Sequence, residues 1–314
     1  MNISEYAEGM LGYKESLGFS KGTYYYYIKD FCDYFKRNGY SQFTEDTVNP
    51  WCVMRPTESP EGFRRRITPL REFSKYLCAI GVTDYVIPSS IFPITHRKAP
   101  YIITDQELIN LFTECDKEPF CMQSPCRHLI IRVIFRLIYC CGLRPNEGRE
   151  LLQADFNEKE GTLFIRKNKS HKERLIPVSN DVAIMCRNYL NELRTIFPDA
   201  EYMFPAPDGG VYSRRWLSDT FRRLWNASNP DSRAKGIRIY LLRHRFATAV
   251  FMKWLDEKAD LYAKIPYLSA YMGHTQFADT AYYIHLFPEK LRSSSAVEWS
   301  RFSALIPEVE DCDE

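Results

Sequence analysis

Apolar residues recur along most of this chain at helical spacing. Phe63, Ile67, Leu70, Phe73 and Leu77 lie four, three, three and four residues apart, one stripe of a helix that Gly81 can end. Ser20 to Asn38 predicts a second helix and the opening residues a third. Periodicity then breaks at Ile87-Pro88-Ser89-Ser90-Ile91-Phe92-Pro93 and on to Pro100, where three prolines mark a linker. Thr104-Asp105-Gln106-Glu107 has the capping-box pattern that starts a new helix, and Leu129 to Cys141 is an apolar helix stopped by Gly142. Gly161 to Ile165 and Arg174 to Val178 are short β-type runs joined by a very basic turn, which predicts a hairpin. Helices are expected at about 180–198, 213–226, 240–254 and 266–272. The expected fold is mainly α with a small β-sheet. It comprises a helical domain over residues 1–81, a linker over 82–103, a mixed domain over 104–307 and a tail over 308–314.

Composition narrows the class. A chain of 314 residues that is 45% hydrophobic and 26% charged is globular at two-domain length, which excludes disorder. No apolar run approaches the roughly 18–20 residues a membrane span needs, and Met1 to Tyr6 lacks the start of a signal peptide, so a cytoplasmic protein is expected. Cys32, Cys78, Cys140, Cys141 and Cys186 fall inside apolar helical patterns and are expected to be buried thiols in a reducing compartment.

The net charge of +2 says little, but its distribution says more. The tail concentrates acids (Glu308, Glu310, Asp311, Asp313, Glu314). Basic residues cluster upstream at Arg64-Arg65-Arg66, at Arg166, Lys167, Lys169, Lys172 and Arg174, at Arg214-Arg215, at Arg222-Arg223, and from Arg233 to Arg245. One such run is ordinarily a solvated face; their repetition points to a polyanionic partner.

Five segments carry chemistry: Cys141-Gly-Leu-Arg144-Pro-Asn-Glu147, Lys169-Ser-His-Lys172-Glu-Arg174, Tyr240-Leu-Leu-Arg243-His244, Gly273-His274 and Tyr282-Tyr283-Ile-His285. Singly each has a bland reading. An arginine after a helix is a surface charge or cap, a lone His is a core or turn residue, and Tyr283 is one of 21 tyrosines. Arg144 stands out because it precedes a Pro-started helix, where backbone N–H groups also favour anions. In this order and spacing, over about residues 104–290, the segments resemble the catalytic core of the tyrosine recombinase (phage integrase) family. The helical domain ahead of them is similar to that family's core-binding (SAM-like) domain, as in a two-domain, Xer-like recombinase. One position departs: Tyr240 stands where the family usually has His.

The resemblance implies Arg144, Lys169, Tyr240, Arg243, His274 and Tyr283 as catalytic residues, with Glu147 and His244 in support. Tyr283 lies nine residues after His274 and is the implied nucleophile, with Tyr282 one residue off register as the alternative. Lys167 and Lys172 compete with Lys169, which only the family register selects. Breaking a phosphodiester without a metal calls for charge on the phosphate oxygens, a nucleophile and a proton for the departing 5′ oxygen. Arg144 and Arg243 suit the first, Tyr283 the second, and Lys169 the third. Tyr240 is a poor base at neutral pH, with an ordinary phenol pKa of about 10, and is assigned to support of the site. Arg64, Arg65, Arg66, Lys167, Lys172 and Arg174 are candidate DNA contacts.

No metal or cofactor is expected. Cys115, Cys121, Cys126 and His128 lack a Cys-x-x-Cys spacing, so a zinc reading is weak. The Tyr24 to Tyr27 run is expected to pack within its helix. The implied partner is double-stranded DNA with a specific recombination site, and the implied assembly is a tetramer on that DNA in the bacterial cytoplasm or nucleoid. The apolar segment 295–307 (Val297, Trp299, Phe302, Leu305, Ile306) would be exchanged between protomers. Two rivals stay open: a type IB topoisomerase, and a catalytically inactive DNA-binding protein of the same fold.

Overall fold

Ser59 begins the helix that organises the first part of the chain. Its hydroxyl accepts the Gly62 N–H at 3.1 Å and Pro60 takes the first helical position, so α4 (Pro60–Ala79) starts with part of its orphan donors met. The stripe from Phe63 to Leu77 is buried, and α4 packs on α1 (Ile3–Ser16) and α2 (Gly22–Arg37), with Val48 of the one-turn α3 (Glu45–Val48) in the same core. This computed structural model describes residues 2–19, 22–93, 100–166, 173–234, 236–274, 276, 279 and 280. The chain divides into two units, Met1–Arg97 and Lys98–Glu314, each with its own core. Val82, Tyr85, Ile91 and Phe92, in the stretch expected as linker, pack against the first core.

One charged residue of this unit is not where its charge suggested. Arg66, expected to contact DNA, is 1% exposed. Its guanidinium donates to both Glu58 carboxylate oxygens (2.8 and 2.7 Å) and to the Trp51 and Val53 carbonyls (2.6 and 2.9 Å), beneath the Trp51 ring. That fork is spent on tying the 51–58 loop to α4, so Arg66 is a core residue. Arg64 and Arg65 are exposed, and Arg64 lies over the Phe92 ring at 4.8 Å. Cys32, Cys141 and Cys186 are buried thiols as expected, whereas Cys78 and Cys140 are exposed at the ends of their helices. In the tyrosine run, Tyr24 packs on the core but Tyr25 and Tyr26 face solvent.

The second unit is built round α6 (Arg127–Cys140), eight of whose residues are buried. A helix with so wide an apolar face belongs in the core, and α6 packs on α5 (Asp105–Asp116), α8 (Asn180–Ile196) and α10 (Tyr240–Asp256), while α9 (Arg214–Ser228) packs on α5. The Thr104–Glu107 capping box forms as the sequence predicts. The expected hairpin is β2 (Thr162–Ile165) and β3 (Arg174–Pro177), antiparallel with Leu163 opposite Ile176, and a two-residue β1 (Phe156–Asn157) adds a third strand beside β2. The last described helix, α11 (Leu261–Met272), begins five residues before the expected 266, because Asp260 caps it by accepting the Tyr262 and Ala263 N–H groups and Pro266 is accommodated within it. No described helix is long and apolar enough to cross a membrane.

Candidate active site

Two helix ends make the site. α6 stops where Gly142 adopts φ 56°, a left-handed turn in which an added Cβ would collide with the Phe246 ring. The chain then reverses into α7 (Pro145–Arg149), with Arg144 at its N-cap. α11 ends in a Schellman motif. Gly273, at φ 68°, donates its N–H to Ala270, and the His274 N–H reaches back to the Ser269 carbonyl at 3.0 Å. That motif is why a glycine precedes this histidine.

The last carbonyls of α11 collect the two arginines. Arg243, 0% exposed on the first turn of α10, donates to the Met272 carbonyl at 2.7 Å and to the Gly142 carbonyl at 2.5 Å. Arg144 donates to the next carbonyl, that of Gly273, at 2.7 Å. A helix C-terminus carries orphan acceptors and a partial negative charge, so it holds guanidinium groups side by side. Glu147, one turn beyond Arg144, accepts from the Arg144 guanidinium (2.7 Å) and backbone N–H (2.9 Å), so that N–H serves the protein's own carboxylate. Glu147 also receives Arg174 bidentately at 3.0 and 2.8 Å. Burial pushes the Glu147 carboxyl up, but the Arg174 and Arg144 bonds outweigh it and hold the pKa at about 2.

His274 is held by Thr280, whose buried Oγ1 lies 2.6 Å from Nδ1. Burial, and then Arg243, Arg144 and Arg174, push its pKa down to about 3, against a smaller opposing pull from Glu147. It is therefore a neutral imidazole at physiological pH, and when Thr280 donates to Nδ1 the ring proton sits on Nε2. His244 is likewise kept neutral, at about 4, by burial and then Arg243. Tyr240, 38% exposed, meets the His244 ring edge-on at 5.1 Å. Positions 240, 243 and 244 share one face of α10 through i, i+3 and i+4 spacing.

Of the residues expected at the site, Arg144, Glu147, Arg243 and His274 come together, with Tyr240 and His244 alongside. Lys167, Lys169, Lys172, Tyr282, Tyr283 and the segment 295–307 lie outside the described residues. Arg174, expected on DNA, instead binds Glu147 and donates through Nε to the Tyr271 carbonyl at 2.8 Å. The signal for this was strand alternation: Arg174 shares a face with buried Ile176 and pairs with buried Ile165, while Leu175 is exposed. Arg214, Arg222 and Arg238 stood out in the sequence only as members of basic clusters and were not expected at the site. With Arg144, Arg166 and Tyr240 they line a cavity of about 870 Å³ that also contains Glu147, Glu150 and Asp155.

Residues 102–290 match the sequence profile described as the phage integrase family. The chain belongs to that family. Among its relatives, y4rB of Sinorhizobium fredii, provisionally named an integrase/recombinase, is 26% identical over 307 residues, covering 93% of this chain and 94% of its own. Tyrosine recombinase XerD of Rhizobium meliloti is 28% identical over 232 residues, 72% of this chain and 70% of its own. The fold is shared with a lambda integrase tetramer bound to a Holliday junction, at 16% identity and a TM-score of 0.63 over 95% of this chain and 81% of that one.

Proposed function

We propose that this member of the phage integrase family is a tyrosine recombinase that breaks and rejoins double-stranded DNA at a specific recombination site. The observation that carries the reading is the pair of guanidinium groups, Arg144 and Arg243, anchored on the successive carbonyls of Gly273 and Met272 with His274 next in the chain. Two permanently charged forks held side by side suit the nonbridging oxygens of one phosphate, whose charge grows as a fifth ligand adds to phosphorus. Their bonds to backbone fix them before DNA arrives, so little reorganisation is left for the chemical step.

In this reading Tyr283 attacks the phosphorus as its phenolic proton passes to solvent, the P–O bond to the 5′ oxygen breaks, and a 3′-phosphotyrosine stores the energy of the broken bond, so a second strand's 5′ hydroxyl can reverse the step without ATP. Lys169 supplies the proton to the leaving oxygen. His274, neutral, gives a hydrogen bond from Nε2 rather than a charge in the tautomer in which Thr280 donates to Nδ1. Tyr240 supports the phosphate site by hydrogen bonding. Arg64, Arg65, Lys167 and Lys172, with Arg214, Arg222 and Arg238 of the cavity wall, are assigned to DNA phosphates. The helical first unit serves as the core-binding domain, the second carries the chemistry, and four protomers assemble on DNA with segment 295–307 exchanged between them. The cytoplasm is its place of action.

The test is incubation with a nicked duplex of the DNA that flanks its own coding sequence. A covalent protein–DNA adduct and exchange of strands between two duplexes are expected. Relaxation of supercoils without exchange would point to a topoisomerase, and binding without an adduct to an inactive relative.

A further inference from the structure

We propose that Arg174 is a positioning residue for DNA cleavage: it fixes Glu147, through Glu147 it fixes the Arg144 guanidinium, and it ties that pair to the end of α11 that carries His274. This rests on the recombinase reading above. Three elements distant in sequence meet on its one side chain. Nη1 and Nη2 bind the two Glu147 oxygens at 3.0 and 2.8 Å, and Nε binds the Tyr271 carbonyl at 2.8 Å. Glu147 in turn holds Arg144, which reaches the Gly273 carbonyl. The links therefore close a ring from β3 to α7 to the C-terminus of α11.

Two features separate this role from that of a DNA contact. The Arg174 fork meets one buried carboxylate with both Nη atoms and the Tyr271 carbonyl with Nε, so all three of its nitrogens are committed inside the protein. The backbone also makes room for it. A Cβ on Gly273 would lie 2.8 Å from Arg174 Nη1 and 3.1 Å from Cζ, so a side chain there would push the guanidinium off its partners. The left-handed φ is what requires glycine at this position. Arg174 also follows Lys169 by five residues, on the strand that leaves the basic turn. Its anchoring thus registers that strand against the arginine site.

Without Arg174, Glu147 loses its bidentate partner, and Glu147 and Arg144 can shift together. Displacement of a reacting geometry by about 1 Å, from a residue that touches no substrate, can cost about 10²-fold in rate. The experiment uses the full chain on a nicked half-site, and reads the single-turnover rate constant for adduct formation at saturating protein separately from the reacting fraction and from half-site affinity. Arg174→Gln is expected to lower the rate constant by roughly 10- to 100-fold, with affinity held within about twofold and its salt dependence unchanged. In a Glu147→Gln background the same change should add less than about twofold, because the link is already cut. Should Arg174→Gln fail to fold, Arg174→Lys keeps the charge but not the fork, and should show the lowered rate constant with near-normal binding.

Weaker binding, with the slope of log affinity against log salt reduced by about 1, would make Arg174 a phosphate contact and overturn the proposal. So would losses that multiply fully in the double variant, or an unchanged rate constant with only the reacting fraction or melting temperature lowered. If the unaltered protein forms no adduct at all, the recombinase reading fails instead.

Discussion

Replacing Glu147 by Gln keeps the shape of the side chain and removes the charge that two guanidinium groups share. The Glu147 side chain is 4% exposed, and its carboxyl is held at about 2 against an ordinary 4.5. At about 1.4 kcal/mol per pH unit, that difference makes the carboxylate worth about 3 kcal/mol to the folded state at pH 7. Because the folded pKa is the lower one, the stabilisation is complete above about 4.5 and disappears as pH falls toward 2. By pH 3.5 about 2 kcal/mol remains. Urea melts of the full chain and of Glu147→Gln, followed by tryptophan fluorescence, should therefore differ by about 3 kcal/mol at pH 7 and by about 1 kcal/mol less at pH 3.5. A loss equal at both pH values, or none at pH 7, would show that Glu147 is not the charged centre binding Arg144 and Arg174.

Arg144→Ala and Arg243→Ala should each slow adduct formation by a factor of about 10² to 10³, measured in single turnover on nicked DNA. Lys169→Ala should be inactive on ordinary DNA and rescued by a 5′-bridging sulfur, whose departure needs no proton; equal loss on both substrates would remove its role as acid. Deleting residues 296–314 should leave half-site binding in a mobility-shift assay nearly unchanged while cooperative pairing on a full site and strand exchange fall sharply; unfolding of the truncated monomer would instead place that segment in its own core.

Helices were legible where one apolar stripe runs into a stop, as in α4 ahead of Gly81 and α6 ahead of Gly142. The hairpin was legible because two β-rich runs flank a basic turn. The start of α11, expected at about 266, is set instead by the Asp260 cap five residues earlier, with Pro266 inside the helix. Arg66 and Arg174 were misread for a common reason: charge was taken to mean surface. Yet Arg66 lies three residues after Phe63 and four before Leu70, on the buried stripe, and Arg174 shares the buried face of its strand with Ile176. Position on a periodic element outweighs charge when a matching carboxylate, Glu58 or Glu147, is brought to meet it. The motifs themselves could be found from order and spacing. That Arg243 would bond to Gly142 and Met272, 101 and 29 residues away, depends on tertiary packing that no local pattern encodes.

The central claim is that DNA becomes joined to Tyr283. Trapping the protein on a nicked half-site, digesting the DNA to a short residual oligonucleotide and sequencing the modified peptide by mass spectrometry tests it directly. A 3′-phosphoryl nucleotide on Tyr283, absent in Tyr283→Phe although that variant still binds DNA, is the predicted result. The same modification on Tyr282, or an adduct that persists in Tyr283→Phe, would contradict it.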